Sequence, residues 1–276
     1  MKNVKLISLD MDGTLLASDH WTIPQRNIEA IRRAHEAGIV VTINTGRLLE
    51  DASDFCSRLG MPCMLIAADG TRAADGLLPD ANVFYKRSFD SKDVHAVLDI
   101  LMPSDLRINV FEEGRVNTRY GRDRAEYHLV ERKLIEVAHG EEAVRAAADR
   151  EIIKVYVEGI EGDLTCIEHM KQKIRQALPH LEVTNSGTLN IEVVPGNAGK
   201  GAALAAMAEY LGLTRENVMA IGDAHNDLSM LEYAVHSVAM ANADEEIKKL
   251  CRYQTKSNDD CGVAYMIEQV LASKGC

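Results

Sequence analysis

The stretch "LISLDMDGTLL", residues 6–16, ends a hydrophobic segment on two carboxylates one residue apart, Asp10 and Asp12. The apolar residues before them predict a buried strand, and residues i and i+2 of an extended chain point the same way. Two carboxylates at about 4 Å repel each other by ~4 kcal/mol at an effective dielectric constant of ~20. Either a proton on one carboxylate or a hard cation between the two must compensate this repulsion.

The residues that follow have the pattern of a strand, helix and strand unit. "TIPQRNIEAIRRAHEAG" predicts a helix that begins near Pro24 and ends at Gly38, and "IVVTIN" predicts a second buried strand. A helix near residues 48–59 and a third strand, "CMLIAA", continue the alternation. This order predicts an α/β fold with a doubly wound, Rossmann-like parallel sheet.

The pattern changes at about residue 84 and returns after Pro195-Gly196. Between these points, paired strands such as "LRINVF" and "RVNTR" and separate helices predict an α+β unit. The charged stretch "RYGRDRAEYHLVERK" (119–133) alternates basic and acidic residues, which favours a solvated helix face. We therefore predict a core in two parts, residues 1–83 and 187–276, interrupted by an inserted domain at 84–186.

Polar residues follow three of the predicted strands. Asp10, Thr45 and Asp223 each come at the carboxyl end of an apolar segment, where open parallel sheets bind ligands. Asp227 adds a further carboxylate, and this type of ligand suits Mg²⁺. The sequence thus predicts a metal site at this edge.

Features that suit an anion occur in the same segments. Thr45-Gly46-Arg47 lies between a strand and a helix, where backbone N–H groups and the helix dipole attract anions. Lys200 falls in the first turn of a predicted helix, a position that is unfavourable for a cation unless an anion binds there. The alternative for Lys200 is a solvated lysine on the surface. The alternative for Arg47 is a structural ion pair.

Composition limits the class of protein. The chain has 276 residues, 46% of them hydrophobic, a formal charge of −11 and a pI near 5.3, which disfavours nucleic-acid binding. The six cysteines form no C-x-x-C pair, which favours reduced structural thiols. Because neither a signal segment nor a membrane-spanning run is evident, we expect a cytoplasmic protein without a membrane partner.

Taken together, the motifs resemble those of a known family. "DMDGT", "NTGR", the lysine of "PGNAGKG", and "GDAHNDLSM" followed by "SNDDCGVAYMIE" are similar in order and spacing to the four motifs of the haloacid dehalogenase superfamily. The branch they resemble is the Cof-type phosphatases, which implies that the inserted domain is a large cap. The resemblance covers the predicted core, roughly residues 1–83 and 187–276.

The resemblance implies roles for the carboxylates. Asp10 would be the nucleophile that forms an aspartyl phosphate, and Asp12 the general acid and base. Mg²⁺ would be held by Asp10, the backbone carbonyl of Asp12 and Asp223, with Asp227 as a supporting partner.

The resemblance also implies a set of phosphate-binding groups. These are the side chains of Thr45, Lys200 and Asn226 and the N–H groups of Met11 and Gly46, while Arg47 could contact the substrate. Thr45 and Lys200 would also act in catalysis: Lys200 and Mg²⁺ would neutralise the charge of the phosphoryl group, and positioning would do the rest. Asp69 stands where related sequences commonly have asparagine. We expect His225 to be a loop residue and Cys261 to be a tolerated variation.

The expected function is therefore a Mg²⁺-dependent phosphatase of small phosphorylated metabolites. Sugar phosphates are the first substrate class, followed by pyridoxal phosphate and flavin mononucleotide. A phosphomutase that uses the same intermediate, or a non-catalytic metabolite-binding module, is the alternative. We expect a monomer or a weak homo-oligomer.

Overall fold

The computed structural model describes residues 1–119, 135–159 and 162–275. The chain divides into two compact units, a larger one of Met1–Tyr85 with Lys200–Cys276 and a smaller one of Lys86–Gly199. Elements are numbered within the described residues.

The strands, in chain order, are β1 (Leu6–Leu9), β2 (Val40–Asn44), β3 (Met64–Ala67), β4 (Arg72–Asp75), β5 (Asn82–Lys86), β6 (Arg107–Glu112), β7 (Arg115–Thr118), β8 (Glu136–His139), β9 (Lys154–Glu158), β10 (Glu182–Thr184), β11 (Asn190–Val194), β12 (Val218–Gly222), β13 (His236–Ala239) and β14 (Tyr253–Gln254). The helices are α1 (Gln25–Glu36), α2 (Leu49–Ser57), α3 (Ser91–Leu101), α4 (Glu141–Ala147), α5 (Leu164–Ala177), α6 (Lys200–Tyr210), α7 (Leu228–Tyr233), α8 (Glu245–Leu250) and α9 (Gly262–Lys274).

The sheet of the larger unit has the strand order β14-β13-β12-β1-β2-β3-β4-β5. Pairing is parallel from β14 to β3, and β4 runs antiparallel to β3. Every residue of β1, β3, β12 and β13 is buried, as expected for strands covered on both faces. The predicted α/β fold with a parallel sheet is confirmed.

The central strand β1 lies at the topological switch point of this sheet. It pairs with β2 on one side and with β12 on the other, although β12 follows it by about two hundred residues in the chain. In open α/β sheets the crevice beside such a strand's carboxyl end is where ligands bind. The segments after β1, β2 and β12 therefore meet at one edge.

Helix α1 shows how local sequence produces this packing. Its buried residues, Asn27, Ala30, Ile31 and Ala34, follow the i, i+3, i+4, i+7 spacing of one helical face. Asn27 is fully buried: its amide donates to the carbonyl oxygen of Leu15 at 3.1 Å and accepts from the N–H of Ala264 in α9 at 3.1 Å. The face of α1 thus fixes the chain that leaves the Asp10–Asp12 segment.

The described residues of the smaller unit form a six-stranded sheet with the order β10-β11-β9-β6-β7-β8. Its pairing is antiparallel except for β7 and β8, which are parallel. Side chains of α3, α4 and α5 form an apolar core with residues of β6, β9 and β11.

The boundary predicted at residue 187 differs from the structure. Strand β11 hydrogen-bonds to β9 and β10, so residues 187–199 belong with the smaller unit. The alternation of strands and helices does not reveal this, because the partner of β11 is set by tertiary pairing. The charged stretch predicted as a solvated helix face lies outside the described residues except for Arg119, which donates to the carbonyl oxygen of Ser104 and lies 3.7 Å from a carboxylate oxygen of Glu141.

Candidate active site

Three carboxylates meet at the carboxyl edge of the larger sheet. Asp10 follows β1, Asp223 follows β12, and Asp227 lies in the short helical turn His225–Asp227. Each offers a carboxylate oxygen within 4.8 Å of the others, so the three could hold a metal ion. Asp10 and Asp227 are buried, while Asp223 is half-buried. The crowding of carboxylates that was expected between Asp10 and Asp12 occurs among these three.

The ammonium group of Lys200 binds two of these carboxylates. Lys200 is the first residue of α6 and is 1% exposed. Its Nζ donates to Asp10 Oδ1 at 2.5 Å and to Asp227 Oδ1 at 2.6 Å. Burial lowers the pKa of Lys200, but the charges of Asp10 and Asp227 outweigh burial and raise it well above its usual value. The alternative of a surface lysine is excluded by this burial.

The remaining negative charge supports a cation at this point. Burial raises the pKa of Asp10 well above its usual value, with the charge of Asp227 adding to the effect. Burial and Asp227 also raise the pKa of Asp223 to about 7. Three carboxylates and one ammonium have a formal sum of −2, the charge that Mg²⁺ neutralises, and hard oxygen ligands suit that ion. The residues therefore fit Mg²⁺.

Asp227 also fixes the backbone of the loop that carries Asp223. Its Oδ2 accepts from the N–H groups of Asp223 at 2.9 Å and Ala224 at 3.1 Å. The hydroxyl of Thr14 donates to Asp223 Oδ1 at 2.6 Å. Gly13 has φ of +79°, and a Cβ there would lie 2.3 Å from Asp223 Oδ2. The D-x-D-G-T segment thus approaches Asp223 closely, a contact that we did not predict for Thr14.

The carboxylate of Asp12 points to a different partner. Arg47 donates to it twice, from Nε to Oδ2 at 2.8 Å and from Nη2 to Oδ1 at 2.6 Å. Burial raises the pKa of Asp12, but the hydrogen bonds and charge of Arg47 outweigh it and lower that pKa. Asp12 was predicted to bind the metal through its backbone carbonyl, and its carboxylate is accordingly not in the group of side chains that could hold a metal. Its backbone carbonyl remains a predicted ligand.

Arg47 forms ion pairs with Asp12 and Asp51. Its Nη1 lies 3.4 Å from Asp51 Oδ2, and its guanidinium carbon lies 4.4 Å from the centre of the buried Phe55 ring. The predicted substrate contact of Arg47 is therefore less favoured than the ion pair that was its alternative.

The predicted phosphate-binding groups lie on neighbouring segments of the same edge. Thr45 is buried, and its hydroxyl oxygen accepts from the N–H of Arg47 at 3.1 Å. Asn226 donates to Asp69 Oδ1 at 3.3 Å, and a Cβ on Gly46 would lie 2.9 Å from that same oxygen. Asp69 therefore lies between Gly46 and Asn226, and its charge also raises the pKa of Lys200.

The other predicted positions are peripheral to these groups. The side chain of Met11 is fully buried in the core, and its N–H remains a predicted phosphate contact. His225 was predicted as a loop residue; it begins the short helical turn His225–Asp227, and its Nε2 lies 4.0 Å from Asp244 and 3.9 Å from Glu246. Cys261 precedes α9 in a left-handed conformation with φ of 56°.

Among the described residues, no helix has both the length and the apolar character needed to cross a bilayer.

Comparison with known proteins gives consistent matches over nearly the whole chain. A profile of haloacid dehalogenase-like hydrolases matches residues 7–267. The chain is 33% identical to the 5-amino-6-(5-phospho-D-ribitylamino)uracil phosphatase YwtE of Bacillus subtilis, covering 98% of this chain and 99% of the relative. It is 32% identical to a second B. subtilis phosphatase of that name, YcsE, covering 96% of this chain and 95% of the relative. A solved haloacid dehalogenase-like hydrolase from B. subtilis is 27% identical with a TM-score of 0.84, covering 97% of this chain and 100% of the solved chain.

Proposed function

The chain belongs to the haloacid dehalogenase-like hydrolase family and is a phosphatase, and from this premise we propose that it hydrolyses phosphate monoesters of small polar metabolites through a phosphoryl group carried on Asp10. The observation that carries the proposal is the buried Asp10 carboxylate, held by Lys200 at the carboxyl edge of the sheet. The resemblance inferred from the four motifs is confirmed at the level of the family.

In the first half of the reaction, an oxygen of Asp10 attacks phosphorus and the bond from phosphorus to the ester oxygen breaks. Asp12 gives a proton to that leaving oxygen, which departs as an alcohol. Arg47 favours the ionised form of Asp12, whereas the arriving phosphate brings negative charge that favours its protonated form. Protonation of Asp12 therefore accompanies substrate binding.

In the second half, Asp12 accepts a proton from a water molecule that attacks the phosphorus of the aspartyl phosphate. The bond between phosphorus and Asp10 breaks, which restores the carboxylate and releases inorganic phosphate. Lys200 keeps Asp10 in place through both halves, since its Nζ donates to Asp10 and to the fully buried Asp227.

Binding of the phosphoryl group falls to the donors around this carboxylate. Lys200, Thr45 and Asn226 supply side-chain donors, and Met11 and Gly46 supply N–H groups. Mg²⁺, held by Asp10, Asp223 and the carbonyl of Asp12, would neutralise negative charge on the phosphate oxygens. Asp227 holds the Asp223 loop and Lys200 in position beside that site through its hydrogen bonds to both.

Removing the metal is expected to stop hydrolysis. Without a divalent cation, Asp10, Asp223 and Asp227 repel an incoming phosphate, and Lys200 neutralises only one of the three. We expect phosphate release to cease in excess EDTA and to return when Mg²⁺ is added. Mg²⁺ should also raise the melting temperature of the wild type, because it binds the folded state, and this rise should shrink in Asp223→Asn. Full activity in excess EDTA would remove the metal from the account.

For the substrate, we propose a phosphate ester at the end of a polyhydroxylated chain. Two relatives that match nearly the whole chain are named for a ribityl phosphate, and sugar phosphates share this chemistry. A phosphate-release panel should contain sugar phosphates, 5-amino-6-(5-phospho-D-ribitylamino)uracil, pyridoxal phosphate and flavin mononucleotide. The highest kcat/KM is expected for a sugar or ribityl phosphate, a class that includes flavin mononucleotide but not pyridoxal phosphate. A preference for an ester without a polyhydroxylated chain would contradict this assignment.

A phosphomutase is the second candidate function, because an aspartyl phosphate can also pass its phosphoryl group to another hydroxyl. Product analysis in the same panel separates the two activities. Inorganic phosphate is expected, whereas an isomerised phosphate ester would indicate the mutase.

A further inference from the structure

The loop at residues 17–22 is closed by its own hydrogen bonds. The N–H of Ala17 donates to Thr22 O at 2.9 Å, and the N–H of His20 donates to Ala17 O at 3.0 Å. Asp19 Oδ1 accepts from the N–H groups of Trp21 at 2.9 Å and Thr22 at 2.8 Å. The loop is therefore held in one conformation by bonds that do not involve the active site.

A second set of bonds fixes this loop to the larger unit. The N–H and hydroxyl of Ser18 donate to the two carboxylate oxygens of Asp259 at 2.9 Å and 2.6 Å. Arg58 lies over the Trp21 ring, with its guanidinium carbon 4.1 Å from the ring centre, and over the Phe55 ring at 4.1 Å. Both ends of the loop are thus attached to neighbouring elements.

This geometry directs His20 at Asp12. His20 has a φ of 56°, a left-handed conformation that is uncommon for residues other than glycine but that histidine, asparagine and aspartate adopt more often than most. Its Nδ1 lies 3.3 Å from Asp12 Oδ1, and because a carboxylate only accepts hydrogen bonds, Nδ1 carries the hydrogen. The carbonyl oxygen of His20 accepts from Arg47 Nη2 at 3.1 Å. His20 therefore contacts both members of the Asp12–Arg47 pair.

The result is an asymmetry between the two oxygens of Asp12. Oδ1 accepts from Arg47 Nη2 and from His20, whereas Oδ2 accepts from Arg47 Nε. A carboxylate oxygen has two lone pairs, so the pair of donors occupies Oδ1 and leaves Oδ2 able to exchange a proton. Arg47 alone would hold the carboxylate equally well after the two oxygens change places. The contact with His20 makes the two oxygens of Asp12 different, because only Oδ1 accepts from the imidazole.

We propose that His20 is a positioning residue for Asp12, which fixes the carboxylate so that Oδ2 delivers the proton to the leaving oxygen. This inference rests on the proposed function and deepens it. The step is the one already described: the P–O bond to the ester oxygen breaks, and the proton on Oδ2 passes to that oxygen. His20 acts through Asp12, and its contribution is greatest where the leaving oxygen needs the proton most.

The test compares two substrates in variants of His20. Alkyl phosphates have a poor leaving group that depends on the acid, whereas p-nitrophenyl phosphate has a good one. His20→Gly removes the imidazole and tolerates the left-handed backbone, and His20→Asn keeps a donor near the position of Nδ1 and also tolerates it. In His20→Gly, kcat/KM, which reports the first half of the reaction, should fall about tenfold for the best alkyl phosphate, part of the 10²–10⁴-fold typical of a general acid, while kcat/KM for p-nitrophenyl phosphate changes less than about twofold. His20→Asn should restore most of the loss.

The matched control is Ser18→Ala, which alters an anchor of the same loop and leaves the donors to Asp12 in place. Its ratio of the two rates should stay close to that of the wild type. An unchanged ratio in His20→Gly, or an equal loss in Ser18→Ala, would overturn the role of the imidazole while leaving the phosphatase intact. If the wild type hydrolysed neither ester, the proposed function would fail and this inference with it.

Discussion

Asp10→Asn is expected to lower kcat/KM for every phosphate ester by more than about 10³-fold, which corresponds to ~4 kcal/mol in the barrier. The amide is a poor nucleophile, and the variant also loses a charged ligand of the metal site. The fold should persist, because the amide oxygen still accepts from Lys200 and the repulsion from Asp227 falls. Phosphate release under saturating Mg²⁺ measures the first effect, and thermal unfolding measures the second.

Asp149→Asn is the matched control for this change. Asp149 lies in the smaller unit, where it is exposed and binds His95, so the same chemical substitution should leave the rate unchanged. If Asp10→Asn kept more than about a tenth of the wild-type rate, a loss below ~1.4 kcal/mol, Asp10 would not be the nucleophile.

Lys200→Met is expected to be the second most damaging substitution. It removes the charge but retains most of the volume, so Asp10 and Asp227 lose the donor they share. A cation facing a phosphoryl group in a buried site contributes several kcal/mol, so kcat/KM should fall by about 10²–10³-fold. Stability should also fall, by about 3–5 kcal/mol, because two buried carboxylates remain without their partner.

Two comparisons separate these effects of Lys200. Lys92→Met removes an exposed lysine that lies 3.7 Å from Asp90, a pair worth about 0–1 kcal/mol, and should alter neither rate nor stability. Lys200→Arg keeps the charge and should therefore recover more of the lost stability than of the lost rate. The guanidinium cannot occupy the position of Nζ, so the phosphoryl group is bound less well. Unchanged kinetics in a folded Lys200→Met protein would require another cation to bind the phosphoryl group.

The local sequence predicts the site residues that come directly after strands in the chain. Asp10, Thr45 and Asp223 could be assigned because each ends an apolar segment and parallel strands share one carboxyl edge. Lys200 could be singled out because a cation at the start of a helix needs an anion. These arguments need only the order of elements along the chain, and the structure brings Asp10, Asp223 and Lys200 together.

Contacts that depend on tertiary geometry were not predicted. The direction of the Asp12 carboxylate is decided by Arg47, which lies 35 positions later in the chain. The contact of His20 depends on a left-handed residue in a loop closed by Asp19, and no periodicity marks such a turn. The hydroxyl of Thr14 was the one unpredicted contact with a visible signal, since it belongs to the D-x-D-G-T motif. That the inserted domain is a cap remains a prediction, as do the cytoplasmic location and the oligomeric state.

The central claim is that the phosphoryl group passes to Asp10, and covalent trapping tests it most directly. In Asp12→Asn, p-nitrophenyl phosphate should still phosphorylate Asp10 because its leaving group needs little acid, while the lost base slows hydrolysis of the intermediate. Acid quenching followed by borohydride reduction converts an aspartyl phosphate to homoserine, which peptide mass spectrometry locates. The account predicts homoserine at position 10 only in samples that received substrate. A burst of p-nitrophenol with an unmodified Asp10, or homoserine at a different position, would contradict it.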